Sequence, residues 1–339
     1  MTGKLTVPAS VTEIGERAFQ SCAKLTGVSG CYGVTKYGQY IFNINGTRLT
    51  GDYPDLSRVT SFGNGVFQFC KMMTGEVTLC PTLTAIPNRL FYRNSITKLR
   101  IPPSVTSIGE LSLRDCQKLK ALFVPGPATV SSGEQSTATV NAKELLYGSL
   151  VLKTVLFGQN TKGSNLTLGS MLTSVKGCTV FAPRSGWNGL VTGGTNNPIV
   201  YYGPGEELDL TVDAEYRRLT AVPTTANALS NVLAHAAIFK DEFDLDTRIA
   251  VTNSLSSAVT VSAEDLQNVT FVTYVTFTAN TQAQLDATLA ALPSAMPIVI
   301  DATGATETIN VPEGRNVAVL VPGGGKYGPT RKGLVIVVK

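Results

Sequence analysis

Residues 7–25 read VPASVTEIGERAFQSCAKL and residues 101–119 read IPPSVTSIGELSLRDCQKL, so that ten of the nineteen aligned positions are identical. Residues 59–70 (VTSFGNGVFQFC) and 83–94 (LTAIPNRLFYRN) repeat the same frame, with Asn94 in the place of the cysteine. Self-similarity at a spacing of 20 to 50 residues is the sequence signature of stacked repeats. These stretches therefore decide the fold of the first half of the chain.

The apolar residues of each copy recur at fixed offsets. In the first copy they are Val11, Ile14, Ala18, Phe19, Cys22 and Leu25. The copies start at Val59, Leu83 and Val105, at spacings of 24 and 22 residues. A unit this short cannot bury its own apolar face, whereas stacked units share one core. Short strands such as 99–101 point alternate side chains inward, and we expect tight turns at Gly15, Gly63 and Gly109.

A degenerate copy is expected between the first and second clear copies, with Tyr37, Ile41, Phe42 and Ile44 in its core. Because Cys22, Cys70 and Cys116 occupy one repeat position, we interpret them as small buried apolar residues rather than as halves of disulfides. The chain contains no C-x-x-C pair.

The composition excludes several classes of chemistry. Charged residues make up only 15% of the 339 residues, and His235 is the single histidine. A zinc site with two histidines is therefore impossible within one chain, and a histidine-dependent triad would have to use His235. No cofactor is expected. No run of about 18 apolar residues indicates a transmembrane helix, and the N-terminus lacks the pattern of a signal peptide.

The repeat pattern resembles the BspA-like leucine-rich repeat family, over residues 5–28, 56–79, 80–101 and 99–124, with weaker copies expected at 29–55 and 125–180. The resemblance implies a right-handed leucine-rich-repeat solenoid over residues 1–203. Residues 178–203 look like the segment that closes such arrays, and inserts at 126–144 and 158–170 depart from the pattern. The resemblance also implies a non-enzymatic adhesion or interaction protein of the bacterial surface.

The second half of the chain has a different composition and resembles no family known to us. Residues 204–339 contain Val- and Thr-rich runs typical of strands. Helices are predicted at 225–239 and 282–292, the second with a core stripe of Leu285, Leu289 and Leu292. The prediction is a β-rich fold overall: the solenoid, followed by a separate β-rich or α+β domain.

The two halves differ in charge, since residues 1–203 carry a net charge of +10 and residues 204–339 a net charge of −6. A basic solenoid attracts acidic proteins or anionic glycans, and oppositely charged halves permit self-association. We predict a binding surface on the strand face with Lys98, Arg100, Lys120 and Phe123 pointing outward. Nucleic acid is a less probable partner because no run of basic residues or recognition helix is present. A weak candidate for a metal site is Asp241, Asp244 and Asp246.

Two functions fit these features. The first is non-enzymatic protein–protein or glycan binding by a cell-surface or secreted protein, with partners on a host or neighbouring cell. The alternative is a structural or receptor-binding component of a phage virion or another extracellular assembly. An enzyme is a distant third possibility.

Overall fold

A computed structural model describes residues 2–43, 49–127, 129–131, 140–141, 144–163, 171–187, 196–213, 217–250, 254–255, 267–271, 275–291, 298–305, 307–312, 317–320, 326–327 and 334–336. The chain divides into two compact units, Met1–Tyr201 and Tyr202–Lys339. The predicted fold class, a β-rich solenoid followed by a separate unit of strands and helices, is confirmed.

The first unit is built from short strands. In chain order they are β1 (Thr2–Thr6), β2 (Glu13–Ile14), β3 (Lys24–Ser29), β4 (Lys36–Tyr37), β5 (Gly51–Asp52), β6 (Ser61–Phe62), β7 (Met73–Thr78), β8 (Ala85–Ile86), β9 (Ser95–Arg100), β10 (Ser107–Ile108), β11 (Ala121–Val124), β12 (Thr129–Ser131), β13 (Val140–Asn141), β14 (Thr154–Phe157), β15 (Lys162–Gly163), β16 (Thr179–Pro183) and β17 (Ile199–Tyr202).

These strands form parallel sheets that run along two sides of the solenoid. One side carries the sheets β1-β3, β5-β7-β9 and β11-β14-β16-β17, and the other carries β2-β4-β6 and β15-β12-β13-β10-β8. Successive turns pair in register, as where Ile86 lies opposite Ile108. Most of these strands therefore find their hydrogen-bond partners about one repeat away in sequence. The exception is the pair β12 and β13, in which Val130 lies opposite Val140.

The core lies between these sides and contains the predicted repeat positions, except Ala18 of the first copy, which is exposed. A row of aromatic rings runs through it, with Phe19, Phe42, Phe67 and Phe91 stacked at centroid distances of 5.7, 5.9 and 5.9 Å. The degenerate copy is confirmed, because Tyr37, Ile41 and Phe42 are buried; Ile44 lies outside the described residues.

Two of the repeat glycines are required for a reason other than a tight turn. A β-carbon on Gly63 would overlap the backbone of Gln39, and one on Gly109 would overlap the backbone of Asn88. Neither glycine has the positive φ that would favour glycine. The backbones of adjacent turns lie too close together here for any side chain. These two glycines therefore permit close packing of the backbone, and the expectation that they form tight turns is wrong.

Trp187, the only tryptophan of the chain, is buried near the C-terminal end of the first unit. Its ring lies 4.4 Å from Phe157 between centroids, and its Nε1–H donates to the carbonyl of Thr161 at 3.1 Å. Asn197 accepts a hydrogen bond from the backbone of Cys178 at 2.9 Å. These contacts hold the last turns together.

The second unit contains two helices among its described residues, α1 (Ala226–Phe243) and α2 (Gln282–Ala291). Its strands are β18 (Leu210–Asp213), β19 (Arg218–Ala221), β20 (Asp246–Ile249), β21 (Ser254–Leu255), β22 (Val269–Phe271), β23 (Val275–Thr278), β24 (Ile298–Asp301), β25 (Ile309–Val311), β26 (Val317–Leu320), β27 (Lys326–Tyr327) and β28 (Leu334–Ile336). They form the sheets β18-β19-β20-β22, β21-β23-β24-β26-β27 and β25-β28.

Both predicted helices are present. Thr225 caps α1, since its hydroxyl accepts a hydrogen bond from the backbone of Ala228 at 3.1 Å. In α2, Leu285 and Leu289 are buried as predicted; Leu292 lies outside the described residues. In the part of the chain that the structure describes, no helix combines the length and the apolar character needed to cross a bilayer.

Candidate binding site

The predicted surface on the strand face is only partly available. Lys98 and Arg100 are half-buried and Lys120 is exposed. Arg100 lies 3.5 Å from the carboxylate of Glu76 on the neighbouring strand, so part of the expected positive charge is neutralised.

The expectation for Phe123 is wrong, because its ring is only 7% exposed. Phe123 pairs with Leu156 across β11 and β14, and Leu156 pairs with Phe181 of β16. All three side chains are buried, although Leu122 and Val124 already supply the solenoid core from this strand. Both faces of β11 are thus covered, and Phe123 offers no open surface to a ligand.

The acidic segment of the second unit has a structural explanation. Asp244 is the C-cap of α1 in the left-handed conformation, with a φ of 56°, and its carboxylate lies 3.6 Å from Arg217. Asp241 is exposed on α1 and Asp246 is exposed at the start of β20. Within the described ranges, no three His, Cys, Asp or Glu side chains are grouped so that they could hold a metal ion.

A different site arises from an irregularity in the repeat. In four turns, the chain leaves the cysteine position through a short hydrogen-bonded turn before it enters the next strand. The bonds of this turn are Leu25 N to Cys22 O, Met73 N to Cys70 O, Leu119 N to Cys116 O and Leu152 N to Ser149 O, at 2.8 to 3.3 Å.

The turn that begins at Leu83 lacks this corner. Strand β9 begins at Ser95, immediately after Asn94, and the pairing places Ser95 opposite Thr74. Residues 71–73 of the preceding turn therefore have no counterpart. A register shift after Gly75 restores one residue, so this turn is two residues shorter than its neighbour. The sequence spacings of 24 and 22 residues have this origin.

Asn94 replaces the missing corner with its side chain. Its Oδ1 accepts a hydrogen bond from the backbone of Ile96 at 3.0 Å, and its Nδ2 donates to the carbonyl of Phe67 at 2.9 Å. The hydroxyl of Tyr53 also donates to Oδ1. Asn94 is only 2% exposed, so these bonds satisfy polar groups that water does not reach. An asparagine at a cysteine position is explained by this geometry.

The missing corner leaves a notch of about 400 Å³ between the flanking turns. It is lined by six residues: Lys71, Arg93, Asn94, Ser95, Asp115 and Gln117. Asn94 and Ser95 are buried at its base, while Lys71 and Gln117 are exposed on its two sides. The hydroxyl of Ser95 donates to the carbonyl of Lys71 at 2.7 Å. The notch is therefore walled by charged and amide groups.

Arg93 is held in place by its neighbours on three sides. Its guanidinium carbon lies 5.3 Å from the ring centre of Tyr92 and 5.8 Å from that of Phe69, both within the range of a cation–π interaction. Its Nε lies 3.3 Å from Asp115 Oδ2. A cation fixed in this way loses less conformational freedom when it binds a ligand.

A second arginine extends this arrangement along the solenoid. Arg114 lies over the ring of Tyr147 at 4.4 Å, is 3.8 Å from Asp115 Oδ2 and contacts Glu144. Asp115 thus bridges Arg93 and Arg114. A β-carbon at residue 148 would overlap Asp115 Oδ1, and Gly148 has a φ of 72°. Glycine at this position is needed for the carboxylate to lie between the two arginines.

The side chains that line the notch are suited to binding a ligand rather than to nucleophilic catalysis. The described lining residues contain one hydroxyl, that of Ser95, which is buried and donates to a carbonyl. His235 lies in the other unit, where its Nδ1 is 2.8 Å from the carbonyl of Asn231. Burial raises the pKa of the Cys70 and Cys116 thiols above its ordinary value, which disfavours the reactive thiolate.

A family model described as a BspA type leucine rich repeat region matches residues 2–120 and 52–138, with six copies in all. Residues 2–138 are BspA-type leucine-rich repeats. The BspA-type region contains all the lining residues of the notch.

Two of the solved structures that are similar to the chain are leucine-rich repeat proteins. A leucine-rich repeat protein from Bacteroides ovatus is 12% identical, with 72% of this chain and 91% of that one covered and a TM-score of 0.21. A leucine rich cell surface protein from Faecalibacterium prausnitzii is 16% identical, with 84% and 89% covered and a TM-score of 0.25. No curated protein matches the chain.

Sequence reasoning missed the notch, although two signals for it were present. The spacing between the starts of successive copies falls from 24 to 22 residues, and in the same turn Asn94 occupies the position where other copies have a cysteine. No local signal indicates the contact between Arg114 and Tyr147 beside the notch, because an insert separates these residues in sequence.

Proposed function

We propose that the BspA-type repeat region is a non-enzymatic binding module that recognises a protein or a glycan at a cell surface, as part of a cell-surface or secreted protein. The observation that carries the proposal is the notch at Asn94, where one missing corner leaves Lys71 and Arg93 beside an open cleft. A volume of about 400 Å³ is within the usual range for ligand pockets, roughly 300–1,000 Å³.

The electrostatics of the notch favour binding over catalysis. Asp115 lies 3.3 Å from Arg93 and 3.8 Å from Arg114, so its carboxylate is engaged with two guanidinium groups that it holds in position at the notch. Fixed charges and amide groups at a concave surface instead give a ligand its orientation and specificity.

In this proposal, the repeat domain comprises residues 1–203 and is closed by residues 178–203. Residues 204–339, which carry a net negative charge, form a second domain in this proposal. This domain either anchors the repeat domain or makes a further contact with the partner. The net charges of +10 for residues 1–203 and −6 for residues 204–339 support different roles for the two domains.

The test is binding of the labelled full chain to arrays of glycans and of extracellular proteins, with a charge-matched pair of double variants. Lys71→Glu with Gln117→Glu changes the walls of the notch. Met72→Glu with Lys118→Glu makes the same change in net charge at exposed neighbours that do not line it. We expect saturable binding that the first variant abolishes and the second retains. Absence of saturable binding to every array member would contradict the proposed function.

A further inference from the structure

The notch presents a specific set of charged and polar side chains. Lys71 has no carboxylate partner among the described residues, while Arg93 shares Asp115 with Arg114. The two cations and one carboxylate that line the notch give it a net charge of +1. Asp115 and the exposed amide of Gln117 add hydrogen-bond acceptors at the same opening. A matching ligand carries an anionic group beside several hydroxyl donors.

Three backbone groups of the residues that line the notch are already paired. The N–H of Arg93 donates to Arg114 O at 2.8 Å and that of Asp115 donates to Tyr147 O at 2.6 Å, both in the following turns. The carbonyl of Lys71 accepts the Ser95 hydroxyl. Recognition of an extended peptide by strand addition requires unpaired backbone groups, and the engagement of these three groups favours recognition of a ligand through side chains.

We infer that the notch binds a hexuronic acid unit of an acidic polysaccharide. Lys71 and Arg93 hold the sugar carboxylate through charge-assisted hydrogen bonds. Asp115 and Gln117 accept hydrogen bonds from the ring hydroxyls. The polar lining favours a sugar over an apolar side chain, and the volume of the notch suits a short saccharide rather than a folded domain. This inference rests on the proposed function and names the ligand class of the same site.

The test uses isothermal titration calorimetry on the full chain with trigalacturonic acid and its methyl ester, in which each carboxylate is replaced by a neutral ester that carries a methyl group. We expect the acid to bind and the ester to bind about tenfold more weakly or not at all. Lys71→Met is expected to weaken binding of the acid about tenfold. Lys118→Met removes the same charge beside Gln117 without changing the notch, and we expect less than about a twofold effect.

Several results would overturn the inference. Equal losses in Lys71→Met and Lys118→Met would show general attraction of charge, provided that Trp187 fluorescence shows both variants to be folded. Equal affinity for the acid and the ester would show that the carboxylate is not recognised. Binding of hexaglutamate as tight as that of the trisaccharide would assign the notch to acidic peptides. If the arrays show binding but the trisaccharide does not bind, the inference fails while the proposed function stands.

Discussion

The backbone N–H of Ile96 donates a hydrogen bond to the side-chain Oδ1 of Asn94 at 3.0 Å. In four other turns, a backbone hydrogen bond closes the corner that follows the cysteine position. The shortened turn has no residues to form that corner, and the side chain of Asn94 accepts the hydrogen bond of the buried Ile96 amide in its place. A buried, unsatisfied amide costs about 1–3 kcal/mol. The asparagine and the two-residue deletion are therefore parts of one feature, which also opens the notch.

Replacement of Asn94 by alanine is expected to lower the free energy of unfolding of the repeat unit by about 2–4 kcal/mol. The change removes the side-chain hydrogen bonds to Ile96 N, Phe67 O and the Tyr53 hydroxyl. Phe67 O keeps the bond from Cys70 N, and the Tyr53 hydroxyl keeps its contact with Met73 O. Urea denaturation followed by Trp187 fluorescence measures it, since this buried tryptophan reports only on the first unit. Asn88→Ala is the control, because Asn88 is exposed and accepts one hydrogen bond, from Glu110 N. Equal losses in the two variants would contradict this account of Asn94.

Gly148→Ala is expected to destabilise the repeat unit more than Gly177→Ala. Both glycines have a positive φ, 72° and 67°, so both variants carry a backbone cost of about 1 kcal/mol. Only at residue 148 does the new β-carbon overlap Asp115, whereas at 177 it meets no atom within 4 Å. Gly148→Ala should also weaken ligand binding by displacing Asp115 from Arg93. Thermal unfolding and the binding assay measure the two effects, and similar behaviour of the variants would count against the proposed place of Asp115.

The buried cysteines are expected to resist modification in the folded protein. Cys70 and Cys116 are fully buried, and burial raises the pKa of both thiols, so the thiolate is scarce at pH 8. Burial likewise raises the pKa of Cys178 to about 12. Cys22 is partly exposed and serves as the internal control. Iodoacetamide labelling followed by peptide mass spectrometry should modify Cys22 first; modification of Cys70 at the same rate would show that the core opens readily.

The row of stacked aromatic rings makes the stability of the solenoid most sensitive to the removal of a ring from the middle of the row. Phe67→Ala is expected to cost about 3–5 kcal/mol, because the ring is fully buried and stacks on Phe42 and Phe91. Phe19→Ala removes the same atoms at the end of the row, where the ring has one stacked neighbour and is partly exposed. We expect a clearly smaller loss there. Equal losses, measured by urea denaturation, would indicate that the row does not stabilise the fold as a unit.

The repeats could be predicted because their apolar spacing is a direct consequence of stacking. The degenerate copy around Ile41 and Phe42 was predictable for the same reason, since a stacked array leaves no room for a missing turn. Phe123 shows where this reasoning fails. Alternation along a strand gives the side of the sheet on which a residue lies, but it does not tell whether that side is covered.

The notch depends on a different kind of information. The sequence shows that one turn is two residues short, yet it does not show which part of the turn is lost. Only the pairing of Thr74 with Ser95 places the deletion at the corner after Asn94. The contacts of Arg114 depend on Tyr147, which follows the insert, and local sequence patterns carry no signal for such pairs.

The most direct test of the account is a crystal structure of the full chain grown with trigalacturonic acid. The account predicts one sugar unit in the notch, with its carboxylate within hydrogen-bond distance of Lys71 Nζ and the Arg93 guanidinium and its hydroxyls against Asp115 and Gln117. A trisaccharide bound elsewhere on the solenoid, with the notch filled only by water, would contradict it.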